Sequence, residues 1–129
     1  ALKSTLIISA PGITPMDGAV TDSIVQTLDL YPTLIDLCDL EITKTEYPLD
    51  GKSLRSLLAN PSKSVHKAVL SYWGDAVTVR DKTHRLIAKK VDNGYVNPEL
   101  YDMAESPYPM ENLASTNERR TKKLLELLP

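Results

Sequence analysis

A chain of 129 residues with 42% apolar and 25% charged residues is long enough for about one domain and apolar enough to bury a modest core, which excludes global disorder. Its formal net charge of −2 argues against a nucleic-acid surface, because phosphate binding needs clustered Lys and Arg. No apolar run reaches bilayer length and no signal peptide is visible. A single cysteine, Cys38, excludes an internal disulfide and a thiolate metal cluster.

Ser4 to Ser9 is a short apolar run closed by Pro11-Gly12, which predicts a buried strand with neighbours on both sides. Gly12 to Gly18 reads as a surface loop. A helix is predicted from about Asp29, with Pro32 in its first turn, where a missing N–H costs nothing. Tyr31, Leu34, Ile35 and Cys38 fall on one helical face, so Cys38 is expected to pack as a small buried hydrophobe. Asp50-Gly51 is a turn signal, and Ser53 to Ala59 suits a short helix closed by Asn60-Pro61.

The pattern then changes to β-branched and aromatic runs, Ala68 to Trp73, Ala76 to Arg80 and Arg85 to Val91, separated by turn-prone residues. They predict consecutive antiparallel strands, joined by a short one at Leu100-Tyr101. Ser115 and Glu118 have capping-box spacing ahead of a last helix with a Leu124, Leu125 and Leu128 stripe. Arg119, Arg120, Lys122 and Lys123 read as the solvated face of that helix. The fold expected is α+β: a small four-stranded antiparallel sheet with packed helices.

Chemistry is sparse. There is no Gly-x-Ser-x-Gly and no phosphate-cradling glycine loop. The two histidines, His66 and His84, read as exposed strand-end residues. Asp36 with Asp39, and Asp102 with Glu105, have a spacing that can bring carboxylates to a metal, but polar helix or surface positions explain them as well. Tyr72 and Trp73, at a strand end beside Gly74, suit ring stacking against a sugar or fill a core; Arg80 can fork onto a sulfate or carboxylate, or pair with Asp81 or Asp102. These three residues are the substrate-rim candidates. No residue is assigned a catalytic, cofactor-binding or metal-ligating role.

Five segments in order carry a family resemblance. Leu6 to Gly12 resembles "PLIISAPG", Leu28 to Leu34 "VDLYPTL", and Leu49 to Leu54 "LDGxSL". Val79-Arg80-Asp81 with Arg85-Leu86-Ile87 resembles "VRDGRYKLI". Glu99 to Asp102 followed by Glu111 to Ala114 resembles "ELYDLxxDPxExxNLA". Together they resemble the C-terminal region of type I, formylglycine-dependent sulfatases of the alkaline phosphatase superfamily, with iduronate-sulfatase-like and choline-sulfatase-like relatives both conceivable. The chain departs from the pattern at Lys3-Ser4-Thr5, at Asp39, where a glycine usually ends the helix, and at Lys82-Thr83, which replaces the hairpin glycine. Asp can adopt the left-handed conformation at some cost, so the helix stop is expected to survive.

The resemblance implies a full-length hydrolase of sulfuric esters, acting on a sulfated sugar or other sulfate ester, with a formylglycine nucleophile and a calcium ion. Cys38 is followed by Asp39-Leu40-Glu41-Ile42 and does not match the Cys/Ser-x-Pro/Ala-x-Arg motif. The family's metal-binding pairs and its "GEHG" histidine match no position. The expected reading is therefore a non-catalytic C-terminal fragment that supports or rims the active site. Residues 1–20 would be the last strand and loop of the catalytic domain, and 21–129 the C-terminal subdomain. Its partners would be the N-terminal catalytic domain of the same protein and, for the whole enzyme, a sulfated small molecule or saccharide, with no nucleic acid and no membrane segment. The implied compartment is periplasmic or extracellular in a bacterium, lysosomal in an animal. The alternatives are a non-catalytic interaction module, or part of a related phosphatase, phosphodiesterase or phosphoethanolamine transferase.

Overall fold

The computed structural model describes residues 4–41, 47–104 and 109–129. The chain divides into two compact units, Ala1–His66 and Lys67–Pro129.

The first unit holds α1 (Leu30–Leu37), preceded by a 3-10 turn at Thr27–Asp29, and α2 (Arg55–Ala59). Residues 4–9 form no strand here; the strand expected from their apolar run is one that pairs within the sheet of the catalytic domain. A strand needs a hydrogen-bonded neighbour, and among the described residues none pairs with this one; Leu6 is exposed and Ile7 is 88% exposed. The helix starts where expected, but its buried face differs. Thr33 and Ile35 are buried, whereas Tyr31, Leu34 and Cys38 are exposed. Two causes operate. α1 ends at Leu37, so helical periodicity no longer governs Cys38, and Asp39 turns the chain at φ 51°. The inward column is also partly polar, which an apolar pattern does not register.

That column is built on Asp29, a carboxylate with no exposure to solvent. It accepts hydrogen bonds from the backbone N–H groups of Gln26 and Lys52, each at 2.9 Å, and from His66 Nε2 at 2.9 Å. Burial opposes ionisation of Asp29, but the two amide donors and His66 outweigh it and hold the carboxyl below the usual aspartate range. An ionised carboxylate only accepts, so His66 Nε2 carries the proton it donates. Thr33 Oγ1 donates to the Asp29 carbonyl and accepts from Leu54 N at 2.9 Å. One helix turn is thereby tied to the segment of Lys52 to Leu54 and to His66. Gly51 is required by contact rather than by its φ angle. A Cβ there would lie 1.9 Å from the Leu28 carbonyl oxygen, which is backbone and cannot move aside cheaply.

The second unit is a four-stranded antiparallel sheet in the order β1 (Ala68–Trp73), β2 (Ala76–Asp81), β3 (His84–Val91), β4 (Gly94–Asp102), followed by α3 (Glu118–Leu125). β4 is longer than the expected Leu100-Tyr101, because Asp92-Asn93 makes a tight turn and pairing begins at Val91 and Gly94. A bulge lies opposite Ile87 to Lys89, and Asn97 there has φ 51°. One sheet face presents Val77, Val79, Leu86, Ala88 and Leu100, and Leu124 of α3 closes over them. Ile87 pairs with Thr78 and faces the other way, as the period of two demands.

Other details correct the reading of the C-terminal segment. The cap of α3 is Asn117, whose side chain accepts from Arg120 N, so Ser115 is not the capping residue. Asn112 Oδ1 accepts from Leu100 N and Ala114 N, which fastens the Asn112-Leu113-Ala114 segment beside β4. Arg120 is not part of a solvated face. Its Nη2 donates to Asp81 and to Thr83 Oγ1, docking α3 on the β2–β3 hairpin. Asp81 also accepts from the N–H groups of Thr83 and His84, and these bonds, resisting the cost of burial, hold its carboxyl below the usual range.

Leu124→Ala should lower unfolding free energy by about 2–5 kcal/mol, because it opens a cavity against five buried side chains. A loss under about 0.5 kcal/mol in denaturant unfolding would mean that α3 is not docked. Gly51→Ala should cost about 1–3 kcal/mol or prevent folding of the first unit, read from the same unfolding curves. Asp29 has a depressed folded pKa, so its contribution is present above the unfolded value, about 3.9, and disappears as pH falls through the folded value. Stability measured from pH 6 to pH 2 should fall less steeply in Asp29→Asn than in the parent chain, whose starting stability should be higher.

Candidate functional site

The alternation that buries Val77, Val79 and Leu86 sends their neighbours to the opposite face of the sheet. Register fixes which residues share that face. Val69 lies opposite Arg80, Arg80 opposite Arg85, and Arg85 opposite Tyr101, making one row across all four strands. The next row is Ser71, Thr78, Ile87 and Glu99. Trp73 lies opposite Ala76, which faces Lys89, in the third. Trp73 thus stands four residues along β1 from the arginine row, a separation of about 13 Å at strand rise.

Trp73 is 88% exposed, so it does not pack in the core of this unit. Tyr72 is also exposed, but it pairs with Val77 and so points to the opposite face from Trp73. The sheet therefore separates the two aromatics and joins Trp73 with Arg80. Tyr72 instead lines a surface depression of about 450 Å³ with Asp75, Val77 and Lys90. Lys89 pairs with Asp75 at 2.7 Å at the same end of the sheet, on the solvent-exposed surface.

Arg80 does not pair with Asp81 or Asp102. Asp81 is occupied by Arg120 and lies on the core-side face, and Asp102 accepts from Ala104 N at 2.8 Å. Among the described residues the Arg80 guanidinium has no hydrogen-bond or ion-pair partner. Arg85, which spacing alone did not single out, joins it. The Arg85 guanidinium lies 5.6 Å from the centroid of the Tyr101 ring, a cation–π distance, and its Nε is buried with no acceptor. Tyr101 donates to Glu99 at 2.7 Å, a bond that with partial burial raises the phenol pKa and occupies the acid of this face.

The remaining candidates divide differently. His66 is not an exposed strand-end residue; its side chain is 6% exposed and bonded to Asp29. His84 does open β3, with Nδ1 2.8 Å from Thr83 Oγ1. Asp36 accepts from Ser53 and Arg55, while Asp39 sits beyond the helix end, so these two carboxylates do not form a shared site. Glu105 lies outside the described residues. Among the described residues no group of three or more His, Cys, Asp or Glu side chains could hold a metal ion, so the calcium implied by the motifs does not fit here. No helix among them is long and apolar enough to cross a membrane.

No family model matches the chain. Its sequence is 28% identical over 123 residues to arylsulfatase K of Xenopus laevis, covering 84% of this chain and 22% of that protein. It is 30% identical over 84 residues to human N-acetylglucosamine-6-sulfatase, covering 64% of this chain and 14% of that one. The fold superposes on BT4656, solved in complex with its substrate D-glucosamine-2-N,6-O-disulfate, with a TM-score of 0.60 and 25% identity over 78% of this chain and 22% of that one. The chain thus spans between 14% and 22% of the length of the curated relatives it matches. In sequence and in fold alike, it is similar to the C-terminal part of sulfatases.

Proposed function

We propose that this chain is the C-terminal part of a sulfatase, a hydrolase of sulfuric esters, and that it supports and rims an active site whose nucleophile and metal ligands stand elsewhere in the polypeptide. The observation that carries this reading is the agreement of two likenesses. Sequence relatives and structural neighbours are sulfatases, and both match over their C-terminal part. The calcium ion would belong with the catalytic residues, since the described residues here offer it no ligand set.

A sulfated sugar is the substrate class favoured. One structural relative was solved with a glucosamine disulfate, and one sequence relative is named for N-acetylglucosamine 6-sulfate ester chemistry. Within this chain, Trp73 and Arg80 are the rim residues best suited to such a ligand. An exposed indole can stack on a sugar ring, and a guanidinium without a partner can fork onto sulfate. Tyr72 remains a rim candidate on the opposite face, beside Lys90.

Kinetics of the full-length enzyme test the rim. Trp73→Ala and Arg80→Ala should each raise KM for a sulfated saccharide several-fold more than for a small aryl sulfate, because a rim contact touches only the larger substrate. Equal changes for both substrates would assign these residues a purely structural role.

A further inference from the structure

Arg80 and Arg85 stand directly opposite each other on adjacent antiparallel strands, on the face that α3 does not cover. Residues so paired have Cα atoms about 4.5–5.5 Å apart, and like charges in this position destabilise a sheet. Such a pair is ordinarily relieved by an acid between the two. Here the acids near it are engaged. Glu99 accepts from Tyr101, and Asp81 lies across the sheet with Arg120. Arg120 makes a useful contrast. Its Nε is also buried without an acceptor, yet its Nη2 is bound to Asp81 and Thr83. Among the described residues, Arg85 has only the ring of Tyr101 and Arg80 has no partner.

From this juxtaposition we propose that Arg80 and Arg85 form a two-guanidinium seat for a sulfate group, with the Tyr101 ring holding Arg85 in place. Guanidinium N–H groups present a planar fork of donors, and two forks from neighbouring strands can share the oxygens of one tetrahedral anion. The anion offsets the repulsion between the arginines and gives the buried Arg85 Nε–H an acceptor it otherwise lacks. Ser71 and Thr78 lie on the same face between this seat and Trp73, so a ligand that extends from the sulfate along β1 meets hydroxyls and then the indole. A sulfated saccharide has that character, and this extension rests on the sulfatase reading. The sulfate seat itself does not.

The test is a titration of the 129-residue chain followed by the arginine Nε–Hε resonances in 1H–15N spectra. Inorganic sulfate should shift the Arg80 and Arg85 signals together with one saturation curve, and leave the Arg55 signal unchanged. Arg80→Gln should weaken binding about tenfold or more, the loss expected for a charge-assisted hydrogen bond. Arg85→Lys keeps the charge and loses the fork, so it should also weaken binding while the amide spectrum stays folded. Absence of a saturable shift at either arginine would overturn the proposal. Acetate matching sulfate would also overturn it, marking the pair as a seat for a protein carboxylate. D-glucosamine-2-N,6-O-disulfate, compared with unsulfated glucosamine, separates the two readings. Tighter binding than inorganic sulfate, with a shift at the Trp73 indole, supports the saccharide extension. Binding no tighter than sulfate leaves the seat standing and counts against the rim role of Trp73.

Discussion

Strict alternation of side chains across the pleated sheet is the constraint on which the second unit depends. Once Val77, Val79, Leu86 and Leu100 are committed to the face under Leu124, their neighbours have no choice of side. Arg80, Arg85 and Tyr101 become one row, and Trp73 falls on the same surface. The apolar demand of the core thus determines where the positive charge collects. A slip of one residue in pairing would put both arginines under α3, which gives the sheet a strong preference for the observed register.

Docking of α3 follows from the same register. Asp81, at the end of β2, lies on the core-side face, where Arg120 reaches it, and its other oxygen organises the Thr83 and His84 amides of the hairpin. One carboxylate therefore replaces the missing turn glycine and anchors the helix as well. In the first unit Asp29 has the comparable place. It joins the start of α1 to Lys52 and His66 through bonds that water cannot replace.

Strands, helices and their order were legible in the sequence because each element advertises itself by period, turn chemistry or both. Apolar runs at 68–73 and 76–80 flank Gly74-Asp75 as the strands of a hairpin do, and the φ of Asp39 fits the expected helix stop. Burial was less legible wherever a polar group points inward. Asp29 and Thr33 lie on the inner side of α1, so the apolar positions Tyr31 and Leu34 were assigned the wrong face, and His66 looked like a surface residue. For the site, Arg80 and Trp73 were visible as residue types, but their common face with Arg85 depends on strand register, which no single segment encodes. Parity within β1 alone would have separated Tyr72 from Trp73. The Ser4 to Ser9 run shows the opposite limit: apolar composition marks a segment that can pair, and the described residues offer it no paired neighbour.

As proposed, this chain would shape a sulfatase active site whose nucleophile and metal ligands stand elsewhere in the polypeptide. The most direct test is turnover of an aryl sulfate by the purified chain, measured with and without added calcium beside the full-length enzyme. The account predicts hydrolysis by the full-length enzyme and none above the uncatalysed rate by the chain alone, because the described residues hold neither a nucleophile motif nor a metal cluster. Turnover by the chain that disappears on substitution of one of its own residues would contradict it.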